Sequence, residues 1–302
     1  MKKTINNTML FAATLVLSVF LFTFCTQTVE DPKDSEEIVN SDEILRQFQT
    51  VGLLHNEIMD EVLDDFRNHD GHFEDMEGYF DFLEESLVRN LSSKDLLIGM
   101  KIEDIQALVV DELVRTRTHY QAHKYKALES ESILLSVVSL YEGILSPKQI
   151  DILRRVENII DHALTVDDMI ISLEMVNNSP EVHSLDYEDR LVIYAATSVG
   201  IESAIYWNAN FEKWIEVLMY NDSSDLNFQK VAGAGFFDSI QWFNGRRMIN
   251  TDVATGVGGA IGGCLQGALA GGVGCIPGGI TGGLIGAAVG STTDAVLQIL
   301  NR

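Results

Sequence analysis

His119 and His123, four residues apart in "THYQAHK", share one face of a helical turn and have the spacing of two metal ligands on a helix. A zinc hydrolase built on that spacing needs a glutamate directly after the first histidine as its base, and Tyr120 stands there instead. "DDFRNHDGHFEDMEG" gathers Asp64, Asp65, His69, Asp70, His72, Glu74 and Asp75 around Gly71, a donor set that suits a divalent cation, but without the ligand spacing of a calcium loop. His55 falls beside an apolar helical stripe and reads as a packing histidine. The sequence has no Gly-x-Ser-x-Gly elbow, no Walker phosphate loop and no Cys-x-x-Cys pair. With 45 acidic residues in the chain, pairs of carboxylates single out nothing. The expectation is a noncatalytic chain with no catalytic residue, metal or cofactor.

A different pattern is more specific. Residues 256–290 hold 15 of the 24 glycines, and no charge occurs from Val253 to Thr293. Gly259, Gly263, Gly267 and Gly271 recur every four residues, as do Gly274, Gly278, Gly282, Gly286 and Gly290. That spacing aligns them on one helical face, where a missing side chain lets another backbone approach closely. Two apolar helices, Val253 to Val273 and Gly278 to Leu300, joined through "GCIPGG" around Pro277, are the simplest reading. The first would be about 31 Å long, close to the hydrocarbon thickness of a bilayer. Each helical glycine costs roughly 1 kcal/mol relative to alanine, so close packing must offset the sum.

The elements that would position such a hairpin lie upstream. Ile44, Phe48, Val51, Leu54, Ile58, Val62 and Phe66 are spaced by three and four, with charged residues between them, and predict an amphipathic helix starting at Ser41 or Asp42. Similar spacing recurs in "FEDMEGYFDFLEESLVRNL", "KIEDIQALVVDELVRTRTHY", "ESILLSVVSLYEGIL" and "PKQIDILRRVENIIDHAL". Ser146 before Pro147, and Thr165 before Val166, read as helix starts. "TVDDMIISLEMV" and Tyr187 to Tyr220 read as further helices, and "NNSPEVHSLD" as a loop. Period-two strands are lacking, so the class is all-α: a soluble multi-helix domain followed by a C-terminal glycine-zipper hairpin.

The ends differ from this middle. Residues 1–24 carry a basic start and the apolar core "MLFAATLVLSVFLFTF", the form of an export signal, and residues 25–41 form an acidic tether. An acidic helical domain over 42–230, an aromatic connector over 231–250 and the hairpin over 251–302 follow. The net charge of −24 excludes nucleic acid as a partner. Tyr206, Trp207, Phe211, Trp214, Phe236, Phe237, Trp242 and Phe243 precede the tract, followed by Arg246 and Arg247; they suit either a membrane interface or an aromatic core. Cys264 and Cys275, eleven residues apart along a helix and into a turn, would be roughly 15 Å apart, too far for a disulfide, and read as small packing residues.

The tract resembles the glycine-zipper segments of bacterial envelope lipoproteins with two short membrane helices, and of bacteriocin-like membrane-active peptides. Cys25, directly after the signal core, resembles the acylated cysteine of the first group, although Phe24 precedes it where that pattern has a small residue. The resemblance implies a noncatalytic exported envelope protein whose partner is membrane lipid, lipidated at Cys25, with a hairpin that packs or self-associates. The alternative is a bacteriocin-like permeabilising effector, and an anchored helical enzyme or metal-binding domain comes third. No protein partner is named by the sequence.

Overall fold

The computed structural model describes residues 41–70, 73–124, 133–220, 244–269 and 274–300. Those residues are all-α and belong to one compact unit, Asn40–Arg302. Helix α1 (Ser41–Arg67) buries Ile44, Phe48, Val51, Ile58, Val62 and Phe66 completely. Its outer face carries the ion pairs Arg46–Glu43 and Arg67–Asp64, so the stripe of spaced apolar residues does the packing. Helix α2 (Met76–Ser92) is N-capped by Asp75, whose side chain accepts from the Gly78 N–H at 3.0 Å. Lys94 then reaches back from the loop to Glu57 and Glu61 of α1, at 2.7 and 2.8 Å.

Helices α3 (Ile102–Lys124), α4 (Ile133–Leu140) and α5 (Pro147–His162) follow. α5 starts with the full capping box of Ser146 and Gln149, and α6 (Val166–Asn177) with Thr165 accepting from the Asp168 N–H. "NNSPEVHSLD" is not wholly loop: Ser179 caps a short helix α7 (Pro180–His183), with proline in its first turn, where no N–H is needed. α8 (Tyr187–Tyr220) is about 50 Å long. All ten residues from Leu191 to Gly200 are buried, so this stretch is enclosed on every side.

The glycine-rich helices are α9 (Gly245–Leu269) and α10 (Cys275–Leu300). α9 starts upstream of Val253, and Val273 lies outside the described residues. Pro277 does not separate the two helices; it lies in the first turn of α10, and Gly274, with φ +80°, precedes that helix. α10 packs against α9, α1, α2, α3 and α8, and α9 also packs against α8, α4 and α5. The hairpin helices therefore form the centre of the same unit as the acidic helices. In α10, 94% of the most apolar stretch is buried inside the protein.

Cys264 and Cys275 are disulfide-bonded, with Cα atoms 3.9 Å apart. The sequence-based separation assumed a chain running onward. In the structure the chain reverses between Leu269 and Cys275, and the two helices return side by side.

Candidate functional site

Contact between α9 and α10 is made by backbone. A Cβ placed on Gly259 would collide with the Gly282 carbonyl, one on Gly263 with that of Gly278, and one on Gly267 with that of Gly274. The reverse collisions hold for Gly278 and Gly282; Gly286 meets the Thr255 carbonyl and Gly290 the Thr255 side chain. The structure thus brings eight of the nine register glycines to one intrachain seam. Gly271 and Cys25 lie outside the described residues. Gly262 differs from its neighbour Gly263, since nothing lies within 4 Å of its would-be Cβ. It borders a groove of about 770 Å³ that also includes Gly258, Thr281 and, from α3, Asp111 and Arg115.

Away from the disulfide, the hairpin is tied by polar groups. Arg247 pairs with Asp294 at 3.2 Å, and Thr251 Oγ1 and Gln298 Nε2 donate to the same carboxylate at 3.2 and 2.9 Å. Gln298 Oε1 accepts from the Asn244 N–H at 2.9 Å, so both ends of this clasp cross between the helices.

Asp252 sits deeper, with no exposed surface. Ser203 Oγ and Trp207 Nε1, both from α8, donate to its Oδ2 at 2.5 and 2.9 Å. Trp207 Nε1 also lies 3.3 Å from Ser291 Oγ on α10. Burial pushes the Asp252 carboxyl up to about 8, against those hydrogen bonds, so it carries its proton at neutral pH. From α1, His55 Nε2 approaches Oδ2 to 3.9 Å, while its Nδ1 is 2.9 Å from Asn56 Oδ1. Burial lowers His55 to about 4. With both groups driven neutral, the pair is not an ion pair.

This cluster contains Ser, His and Asp, yet it is not organised for acyl transfer. The serine hydroxyl donates to the carboxyl rather than to the imidazole, so no base stands ready to take its proton. All three side chains are fully buried, out of a substrate's reach. The sequence pointed to packing for His55 but gave no signal for Asp252 and Ser203, which are 49 residues apart.

The four described aromatic residues of that set belong to a core: Trp207 and Trp214 are fully buried, and Tyr206 and Phe211 nearly so. Trp214 Nε1 donates to Tyr206 Oη at 3.0 Å, and that hydroxyl donates to Asp60 at 3.1 Å. Arg246 caps the end of α5, donating to the carbonyls of Ile160 and Ala163 at 2.9 and 2.7 Å. Phe236, Phe237, Trp242 and Phe243 lie outside the described residues, as do the side chains of His119 and His123. Within the acidic stretch from Asp64 to Asp75, Asp65 of α1 accepts from Ser86 and Asn90, Asp75 caps α2, and His69 stacks on Phe73 at 4.5 Å, while His72 lies outside the described residues. Among the described residues, no three His, Cys, Asp or Glu side chains gather as a metal site would require.

No family model, no curated protein and no solved structure matches the chain.

Proposed function

We propose that the chain is a noncatalytic exported protein of the cell envelope, held at a membrane by lipid on Cys25, whose glycine hairpin is the packing core of its helical domain. The observation that carries this reading is the enclosure of α10, with five helices around it and Asp294 and Ser291 tied to α9 and α8 side chains. A lipid-spanning helix would have to give up those contacts, so attachment falls to the N-terminal cysteine. The Cys264–Cys275 disulfide supports an oxidising compartment. Acyl labelling and membrane fractionation of wild type and Cys25→Ala test it. Label lost together with release of a folded protein is expected; a variant that stays in the membrane fraction would overturn the attachment.

The charge-free stretch from Val253 to Thr293 favours a second reading, a bacteriocin-like effector that releases the hairpin into a target membrane. Leakage of anionic vesicles exposed to full-length protein, from acid to neutral pH, would favour that reading over the first; intact vesicles would remove it.

A further inference from the structure

Between α1, α6 and α8 lies a cleft of about 550 Å³, the size of a small-molecule site. Its walls combine the alkyl side chains of Leu45, Leu53 and Ile201 with the carboxylates of Glu174 and Glu202, and none of the described residues lining it is Lys, Arg or His. Glu202 is positioned by two features of α1. Gly52 leaves room for it, since a Cβ there would lie 2.6 Å from Glu202 Cγ. Asn56 Nδ2 holds both the Glu202 carbonyl, at 3.2 Å, and its carboxylate, at 3.3 Å. Beside it Ser198 is 2% exposed, lines the cleft, and has a buried hydroxyl with no partner among the described residues. A half-buried carboxylate held in place without a cation, an unpaired hydroxyl and an alkyl wall match one ligand chemistry.

We propose that this cleft binds a small aliphatic amine as its ammonium ion, with Glu202 as the counter-charge, Glu174 at the mouth, Ser198 Oγ accepting an N–H bond and the stem against Leu45, Leu53 and Ile201. Asn56, which donates to Glu202, leaves the carboxylate's remaining lone pairs for the ammonium. Burial pushes the Glu202 carboxyl up, and an arriving ammonium would bring it back down.

Calorimetric titration of the full-length chain with 1,4-diaminobutane tests the site; parallel titration with Nα-acetyl-lysine amide tells a free amine from a lysine side chain as the source. Saturable binding is expected, weakened by roughly tenfold or more in Glu202→Gln and by about threefold in Ser198→Ala. Glu103→Gln, an exposed carboxylate on α3 outside the cleft, should leave affinity unchanged. Absence of saturation at millimolar amine, or equal weakening by Glu103→Gln, would overturn the site in favour of diffuse attraction to an acidic surface. Circular dichroism checks each fold; should Glu202→Gln unfold, the exposed Glu174→Gln decides, and undiminished binding there would overturn the proposal.

Discussion

Helix α1 and the α9–α10 hairpin both bury themselves, by opposite means. α1 presents a stripe of large side chains and leaves a charged face in water, so its burial is one-sided. The hairpin removes side chains where its helices meet, so that carbonyls and Cα atoms pack directly, and neighbouring helices cover most of its other faces, leaving the Gly262 side open. The contrast teaches that one core is specified by what is present and the other by what is missing. A side-chain stripe tolerates small changes of volume, whereas a backbone seam has no atom that can turn aside.

The largest expected effect follows from that. Gly263→Leu would drive a side chain into the Gly278 carbonyl and should abolish folding or destabilise by more than about 5 kcal/mol in denaturant melts. Ile58→Val in α1, a lost methylene, should cost only about 1 kcal/mol.

The polar end of the hairpin sharpens the comparison through pH. Asp252 keeps its proton up to about pH 8 in the folded state, against an ordinary value of 3.8, so its stabilising share is complete in acid and lost as pH rises through that interval. Asp252→Asn should therefore be more stable than wild type at pH 8 by roughly 5 kcal/mol and level with it near pH 4. His55 runs the other way. Its folded value near 4 lies below the ordinary 6.5, so its contribution is complete above pH 6.5 and is lost as pH falls toward 4, by about 3 kcal/mol. His55→Gln should flatten that acid limb of the urea-melt profile.

Reduction of Cys264–Cys275 opens a short loop and should lower stability by about 3 kcal/mol, with Cys264→Ser matching the reduced wild type. The smallest effect has the opposite sign. Gly262→Ala, one residue from Gly263 but facing open space, should stabilise by up to about 1 kcal/mol through helix propensity alone.

Much of the outer shell was legible in the residues. Spacing in α1, the Ser146–Pro147 and Thr165 starts and the bounds of α8 follow from local chemistry, which is why they read directly. The glycine register was equally plain, but its surroundings were not: a charge-free helix has the same sequence whether lipid or protein covers it. The disulfide was misread because the position of the turn, not the number of residues, sets the distance between Cys264 and Cys275. Asp252, His55, Ser203 and Ser291 come from four helices and meet only after the hairpin is enclosed. No local pattern announces such a meeting, and the same holds for Glu202 over Gly52.

Amide hydrogen exchange of residues 279–299 in the full-length protein, with and without lipid vesicles, tests most directly whether the hairpin is an enclosed core. These amides should exchange only through global unfolding, as slowly as those of buried α8, and vesicles should not change them. Exchange faster than in α1, or protection that shifts when vesicles are added, would contradict it.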